Sequence, residues 1–146
     1  MEGSLNIKSA AEIAIMREAG RINAEALEAA KTAIAPGVTT AELNEVVEAV
    51  QRRYGVYSPF KNYPGPYPFP ASICAIVNEE MVHGIPDKRK LKEGDIISID
   101  CGTVYQGFVG DSAFTVGVGE ISSQAQRLIE VTKQALDAGI AQMVPG

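Results

Sequence analysis

The sequence predicts an α+β fold in which helices pack on one face of a small antiparallel sheet. Three observations support this class. Apolar residues recur at helical spacing at both ends of the chain, a strand-like hairpin covers residues 94–119, and a short apolar strand covers residues 72–77. We expect a single domain spanning residues 1–146, because this length can bury a core and 46% of the residues are apolar.

Three capping boxes predict where the helices begin. Ser9 and Glu12, Thr39 and Glu42, and Ser123 and Gln126 have the spacing at which a hydroxyl and a carboxylate or amide bind each other's backbone N–H. The last helix is expected to begin at Ser122 or Ser123. Each start is followed by an apolar helical face. These faces comprise Ile13, Met16, Ile22, Ala26, Leu27, Ala30 and Ile34; Leu43, Val46, Val47 and Val50; and Leu128, Val131, Leu136, Ile140 and Met143.

The hairpin is predicted from strands at residues 95–101 and about 108–118, with residues 105–107 forming the turn. Gly107 is free to adopt the positive φ that such turns need. If the hairpin is symmetric about Tyr105 and Gln106, Asp100 lies directly opposite Asp111. One face then carries most of the large side chains and packs on the helices. The other face carries small and polar side chains, including both aspartates.

Two carboxylates placed opposite each other repel and therefore need a physical reason. They could share one proton, as in a carboxylate dyad. They could instead bridge one or two divalent cations. A third interpretation is that one aspartate only caps a turn in solvent, since a bulge at Gly107 would shift the register by one and separate the two side chains.

A segment rich in proline and aromatic residues, 57–70, precedes the first strand. Its prolines exclude a helix or a central strand, so it is either a linker or an ordered loop that lines a pocket. We favour the pocket wall because a solvated linker does not need aromatic residues. Four of them follow Tyr57, namely Phe60, Tyr63, Tyr67 and Phe69.

His83 is the only histidine. It is either a structural or exposed residue, or one held at a cleft by the neighbouring Gly84 and Pro86. In a cleft its imidazole could donate a hydrogen bond to a carbonyl or tetrahedral oxygen without binding a metal.

Charge and cysteine content limit the partners. The net charge is −5 without a basic run, so no nucleic-acid surface is expected. No apolar stretch approaches the length of about 18 residues that a membrane helix needs. Residues 1–4 are polar and show no secretory signal. Cys74 and Cys101 lack a CxxC pattern, which indicates buried thiols in a reducing cytoplasm.

The segment VNEEMVHGIPDKRKLKEGDIISIDCGTVYQGFVGDSAFTVGVGE resembles type I methionine aminopeptidases. His-Gly-Ile-Pro at 83–86, Ile-Asp-Cys-Gly at 99–102 and Gly-Asp-Ser at 110–112 match the pattern of that family in order and spacing, and the similarity runs from about Ile7 to the end of the chain. The resemblance implies half of the pita-bread (creatinase/aminopeptidase) fold. It also implies removal of N-terminal methionine from peptides at a dinuclear metal centre.

The same resemblance implies a role for each matching residue. Asp100 and Asp111 would be metal ligands, and His83 would be catalytic, contacting the substrate and steadying its oxyanion. Phe69 and Cys74 would contribute to the substrate pocket, whereas the pocket tyrosine stays open between two candidates, Tyr63 and Tyr67. The expected cofactors are two divalent ions, and the ligands do not distinguish cobalt, manganese, iron and zinc.

The family also uses a histidine and two glutamates from its second half, which we expect this chain to lack. A short internal repeat also suggests that the chain is one half of a duplicated fold. Residues 26–37 resemble residues 135–146, although the match could be chance. We therefore expect the N-terminal half of the fold, completed by a homodimer. Turnover stays open, with two alternatives: a non-catalytic half-fold that binds metal or only itself, and a relative that cleaves before proline.

Overall fold

The computed structural model describes residues 6–146, so the polar residues 1–4 lie outside the described part. Two helices, three strands and a third helix follow in order: α1 (Ala10–Ala33), α2 (Thr40–Arg53), β1 (Ile73–Val77), β2 (Ile96–Tyr105), β3 (Phe108–Gly117) and α3 (Ser123–Ala141). The strands form one antiparallel sheet in the order β1-β2-β3. This architecture confirms the predicted α+β class.

The first two helices begin where the capping boxes predict. The Ser9 hydroxyl accepts from the Glu12 N–H, and the Glu12 carboxylate accepts from the Ser9 N–H at 2.7 Å. The box before α2 repeats this arrangement. The third helix begins after Ser122, one of its two predicted starts, because the Ser122 hydroxyl caps α3 and accepts from the Ala125 N–H at 3.1 Å. The capping box predicted between Ser123 and Gln126 is therefore wrong.

The core lies between the sheet and the two N-terminal helices. Alternate residues of β2, namely Ile97, Ile99 and Cys101, are fully buried on the face that α1 and α2 cover. Leu43 and Val47 of α2 are also fully buried. Each such side chain contributes about 1.5–3 kcal/mol by leaving water, so this face supplies much of the stability of the fold.

A two-residue turn connects β2 and β3. Tyr105 pairs with Phe108, and the intervening Gln106 and Gly107 have φ values of 47° and 83°. Positive φ at both central residues is the signature of a type I′ turn, which matches the twist of the strands. The turn is therefore centred one residue later than the sequence prediction placed it.

This displacement changes the cross-strand partners of both aspartates. Asp100 pairs with Ala113, and Asp111 pairs with Gly102, so the predicted direct opposition of the two aspartates is wrong. Moving the turn centre by one residue shifts the pairing by two. Because side chains alternate with a period of two, both aspartates stay on one face as diagonal neighbours.

Helix α3 differs from the other two helices because none of its residues is buried. Its predicted apolar face is open to solvent at Leu128, Val131, Leu136 and Ile140. Within residues 6–146, no helix combines the length and apolar character needed to cross a membrane.

Candidate functional site

A cavity of about 520 Å³ opens on the sheet face opposite α1 and α2. It is lined by parts of the proline-aromatic loop, β1, β2, β3 and the loop after β1. The cavity brings together all five residues that the sequence singled out: Phe69, Cys74, His83, Asp100 and Asp111.

The two aspartates differ in exposure. Asp100 is partly buried, whereas Asp111 near the start of β3 is exposed. The pKa of Asp100 is raised, first because burial disfavours its charged form and then because the Asp111 carboxylate lies nearby, while the charge of His83 acts in the opposite direction. The cavity therefore concentrates negative charge that a proton or a cation would relieve.

Cys74 lies on β1 directly across from Asp100. It is buried and unpaired, and its pKa rises to about 11, first through burial and then through the charges of Asp100 and Asp111. Its thiol is therefore neutral at physiological pH and contributes a soft apolar surface to the cavity. Cys101, the other free thiol, belongs to the helix-covered face.

The proline-aromatic loop is folded on itself and anchored to the sheet. The Asn62 N–H donates to the Phe69 carbonyl at 2.8 Å, and the Phe69 N–H donates to the Tyr63 carbonyl at 3.2 Å. The buried Ser58 hydroxyl donates to the Ser72 carbonyl at 2.8 Å. These contacts favour the pocket wall over the linker.

Both candidate pocket tyrosines, Tyr63 and Tyr67, line the cavity and are largely exposed. Both tyrosines therefore contribute to the cavity wall.

Phe60 also lines the cavity, although the sequence did not single it out as a site residue. The loop reaches the sheet at Gly102, where a Cβ atom would lie 2.7 Å from Pro59 Cγ and 3.2 Å from Phe60 Cε1. The absence of a side chain at Gly102 therefore lets the loop lie directly on β2. An aromatic residue immediately after Pro59 was the available signal for this contact.

His83 lies in the loop after β1, with an exposed side chain and a φ of 56°. The Ala75 N–H donates to the carbonyl of the adjacent Gly84 at 2.9 Å, so this loop runs along the outer edge of β1. Positive φ is uncommon for a residue with a side chain, and here a backbone hydrogen bond next to it holds the conformation. His83 is thereby fixed at the rim of the cavity.

The donor set fits a divalent cation only in part. Carboxylate oxygens suit such ions, and Asp100 and Asp111 are neighbours on one face. Across residues 6–146, however, no three or more histidine, cysteine or acidic side chains are grouped so that they could hold a metal ion.

Residues 14–146 match metallopeptidase family M24. The chain belongs to this family. Among M24 relatives, it is 48% identical over 141 residues to a methionine aminopeptidase of Clostridium acetobutylicum, covering 96% of this chain and 55% of that protein. Methionine aminopeptidase 1 of Bacillus subtilis is 48% identical over 139 residues, covering 95% of this chain and 55% of the relative.

Solved structures show the same relationship. The methionine aminopeptidase of Thermotoga maritima superposes with a TM-score of 0.90 at 40% identity, covering 97% of this chain and 56% of that one. A prolidase of Pyrococcus horikoshii has a TM-score of 0.81 at 23% identity, which shows a shared fold alone. The chain spans about half the length of the curated relatives it matches.

Proposed function

We propose that the cavity is the metal and substrate site of a methionine aminopeptidase and that the protein removes N-terminal methionine from peptides. One observation carries the proposal: Asp100 and Asp111 lie on the same sheet face in a cavity walled by aromatic residues. The 48% identity to proteins named methionine aminopeptidase supports it. We also expect a cytoplasmic location, consistent with two free thiols.

In this proposal, Asp100 and Asp111 contribute carboxylate oxygens to two divalent ions. When bound, such ions supply Lewis acidity for a carbonyl group and for water. Oxygen ligands suit manganese, iron, cobalt and zinc alike, so the preferred metal must be measured.

The remaining cavity residues would bind the substrate. His83 at the rim donates a hydrogen bond to the carbonyl oxygen at the cleaved bond, where negative charge develops during the reaction. Phe69 and the neutral Cys74 thiol provide a surface for the methionine side chain, since aromatic rings and sulfur make favourable contacts with a thioether.

The direct test is the handling of a Met-Ala-Ser peptide by the chain with Co²⁺ or Mn²⁺. The described residues offer only two grouped carboxylates, so we expect metal-dependent peptide binding with weak turnover. Phe69→Ala should weaken binding of Met-Ala-Ser more than binding of Ala-Ala-Ser. Equal weakening would place the methionine pocket elsewhere.

The same assay separates the two alternatives. Cleavage of an Ala-Pro peptide in preference to Met-Ala-Ser would identify a relative that cleaves before proline. Metal binding with no peptide binding would identify the non-catalytic half-fold.

We further propose that the chain forms a twofold homodimer. Strand β3 is one of the two edges of the described sheet, and a ten-residue edge strand invites pairing with another chain. Helix α3 supplies a second argument, because its residues 135–138 resemble residues 26–29 of α1 but its apolar face is exposed. Leu27 of α1 is buried against the sheet, whereas the matching Leu136 of α3 is 61% exposed and requires a similar surface.

Sedimentation of the wild-type chain and of Leu136→Lys tests the homodimer. Leu136 is exposed, so the variant should fold normally but dissociate into monomers. Gln134→Lys, on the opposite side of α3, is the matched control and should stay dimeric. A folded wild-type monomer at every protein and metal concentration would contradict the proposal.

A further inference from the structure

Asn23 is a fully buried polar residue in the apolar face of α1. Its Nδ2 donates to the Cys101 carbonyl oxygen and to the Ser112 hydroxyl, both at 2.9 Å. Its Oδ1 accepts from the Thr103 hydroxyl at 2.9 Å. Both amide donors are therefore used, and all three partners lie on β2 or β3.

These contacts place Asn23 directly behind the candidate metal ligands. Cys101 and Ser112 are cross-strand partners, and each follows one of the two aspartates, Asp100 and Asp111. Successive side chains point to opposite faces of a sheet. One amide on the helix-covered face therefore ties β2 to β3 a single residue away from each carboxylate on the cavity face.

A second buried amide extends the network. Gln51 of α2 donates through Nε2 to the Gly102 carbonyl at 3.0 Å and to the Thr103 hydroxyl at 3.3 Å. Gly102 is the cross-strand partner of Asp111, and Thr103 also donates to Asn23. Both helices thus hold the same short stretch of β2.

We propose that Asn23 is a positioning residue of the metal site: by fixing the Cys101–Ser112 pair, it sets the relative placement of Asp100 and Asp111. The inference rests on the proposed function, because it assumes that these aspartates bind a divalent cation. Binding sites need their ligands held to within about 0.5 Å, and satisfied buried hydrogen-bond networks provide that rigidity.

The test is a titration of the full chain with Co²⁺. Calorimetry measures the affinity, and the visible absorption of the bound ion reports its ligand geometry. Loss of a supporting contact typically lowers metal affinity about 10–100-fold, and Asn23→Ala should lose about tenfold because it acts through the backbone. Its Co²⁺ absorption bands should also shift, since they report ligand geometry.

Ile22→Ala is the matched control. Ile22 is the preceding residue of α1 and is equally buried, but its side chain makes no hydrogen bond to the strands. The control should lower stability while leaving Co²⁺ affinity and spectrum unchanged. If Ile22→Ala weakens Co²⁺ binding as much as Asn23→Ala, the effect is general destabilisation and the inference is wrong.

Ser112→Ala keeps the test decisive if Asn23→Ala fails to fold. The variant removes only one hydrogen-bond acceptor of Asn23, and Ser112 is exposed, so the protein should fold. Its Co²⁺ affinity should also fall, but by less than in Asn23→Ala. Wild-type affinity in Asn23→Ala and Ser112→Ala, with binding lost in Asp111→Asn, would overturn the inference but leave the proposed function standing. A wild-type chain that binds no Co²⁺ would overturn both.

Discussion

The two faces of the sheet are built from alternate residues of the same strands, yet they differ in almost every property. The helix-covered face carries Ile97, Ile99 and Cys101 and is sealed by α1 and α2. The cavity face carries Asp100 and Asp111 and contacts solvent through an open pocket. Stability should therefore depend mainly on the first face, and ligand binding on the second.

The largest expected loss of stability comes from a substitution on the helix-covered face. Ile99→Ala removes a fully buried side chain, so the free energy of unfolding should fall by about 2–5 kcal/mol. The neighbouring Ser98→Ala, on the cavity face, loses one hydrogen bond to Thr115 and should cost only about 1 kcal/mol. Urea denaturation measures both, and equal losses would contradict the division between the faces.

Gly102→Ala should affect the cavity more than the core. Its new Cβ atom would overlap Pro59 and press on Phe60, and overpacking of this kind costs about 1–3 kcal/mol. The displaced loop should also weaken binding of Met-Ala-Ser.

Gly20→Ala is the control for the change at Gly102. Gly20 lies in α1 with no atoms near its added Cβ, so alanine there should stabilise the chain by about 0.5–1 kcal/mol. Unchanged stability and peptide affinity in Gly102→Ala would show that the loop does not depend on this contact.

Asp100→Asn should stabilise the metal-free chain at neutral pH. The pKa of Asp100 is higher in the folded chain than its ordinary value of 3.8. The protonated carboxyl therefore stabilises the folded chain below pH 3.8, and this stabilisation is lost as the pH rises through the pKa of the folded state. The gain should be up to about 1 kcal/mol, because the variant removes first a partly buried charge and then its repulsion from the Asp111 carboxylate.

Urea denaturation of wild type and Asp100→Asn at several pH values checks this sign. The advantage of the variant should disappear well below pH 3.8, where the wild-type carboxyl is protonated in both states. An advantage that persists at pH 3 would mean that the negative charge of Asp100 is not its cause.

The two thiols should show the smallest difference. Burial raises the pKa of Cys74 to about 11 and that of Cys101 to about 12, so iodoacetamide should modify both very slowly at pH 7.5. Cys74 should react first as the pH rises because it lines the cavity, whereas Cys101 is fully buried. Mass spectrometry of the labelled chain would contradict this order if Cys101 reacted first.

The hairpin shows what the sequence could and could not predict. Alternation predicted that Asp100 and Asp111 share a face, but not that Gln106 adopts positive φ and moves the centre of the turn. Positive φ at a residue other than glycine depends on the twist of both strands and has no strong local signal. The shared face was confirmed because a one-residue error in the turn preserves the parity of the pairing.

Two further features depend on tertiary contacts that composition does not show. The periodicity of α1 identified its apolar positions but passed over Asn23, whose partners lie about 80 residues away on β2 and β3. The periodicity of α3 predicted an apolar face correctly. It could not predict that no part of the described chain covers that face.

Thermal and urea unfolding with and without Co²⁺ tests the central claim, that the cavity face binds a divalent cation through Asp100 and Asp111. A cation that binds only the folded chain should raise the free energy of unfolding by about 2.7 kcal/mol at roughly 100 times its Kd. We predict this gain for the wild type and its loss in both Asp100→Asn and Asp111→Asn. An equal gain in all three proteins, or none in the wild type, would contradict the account.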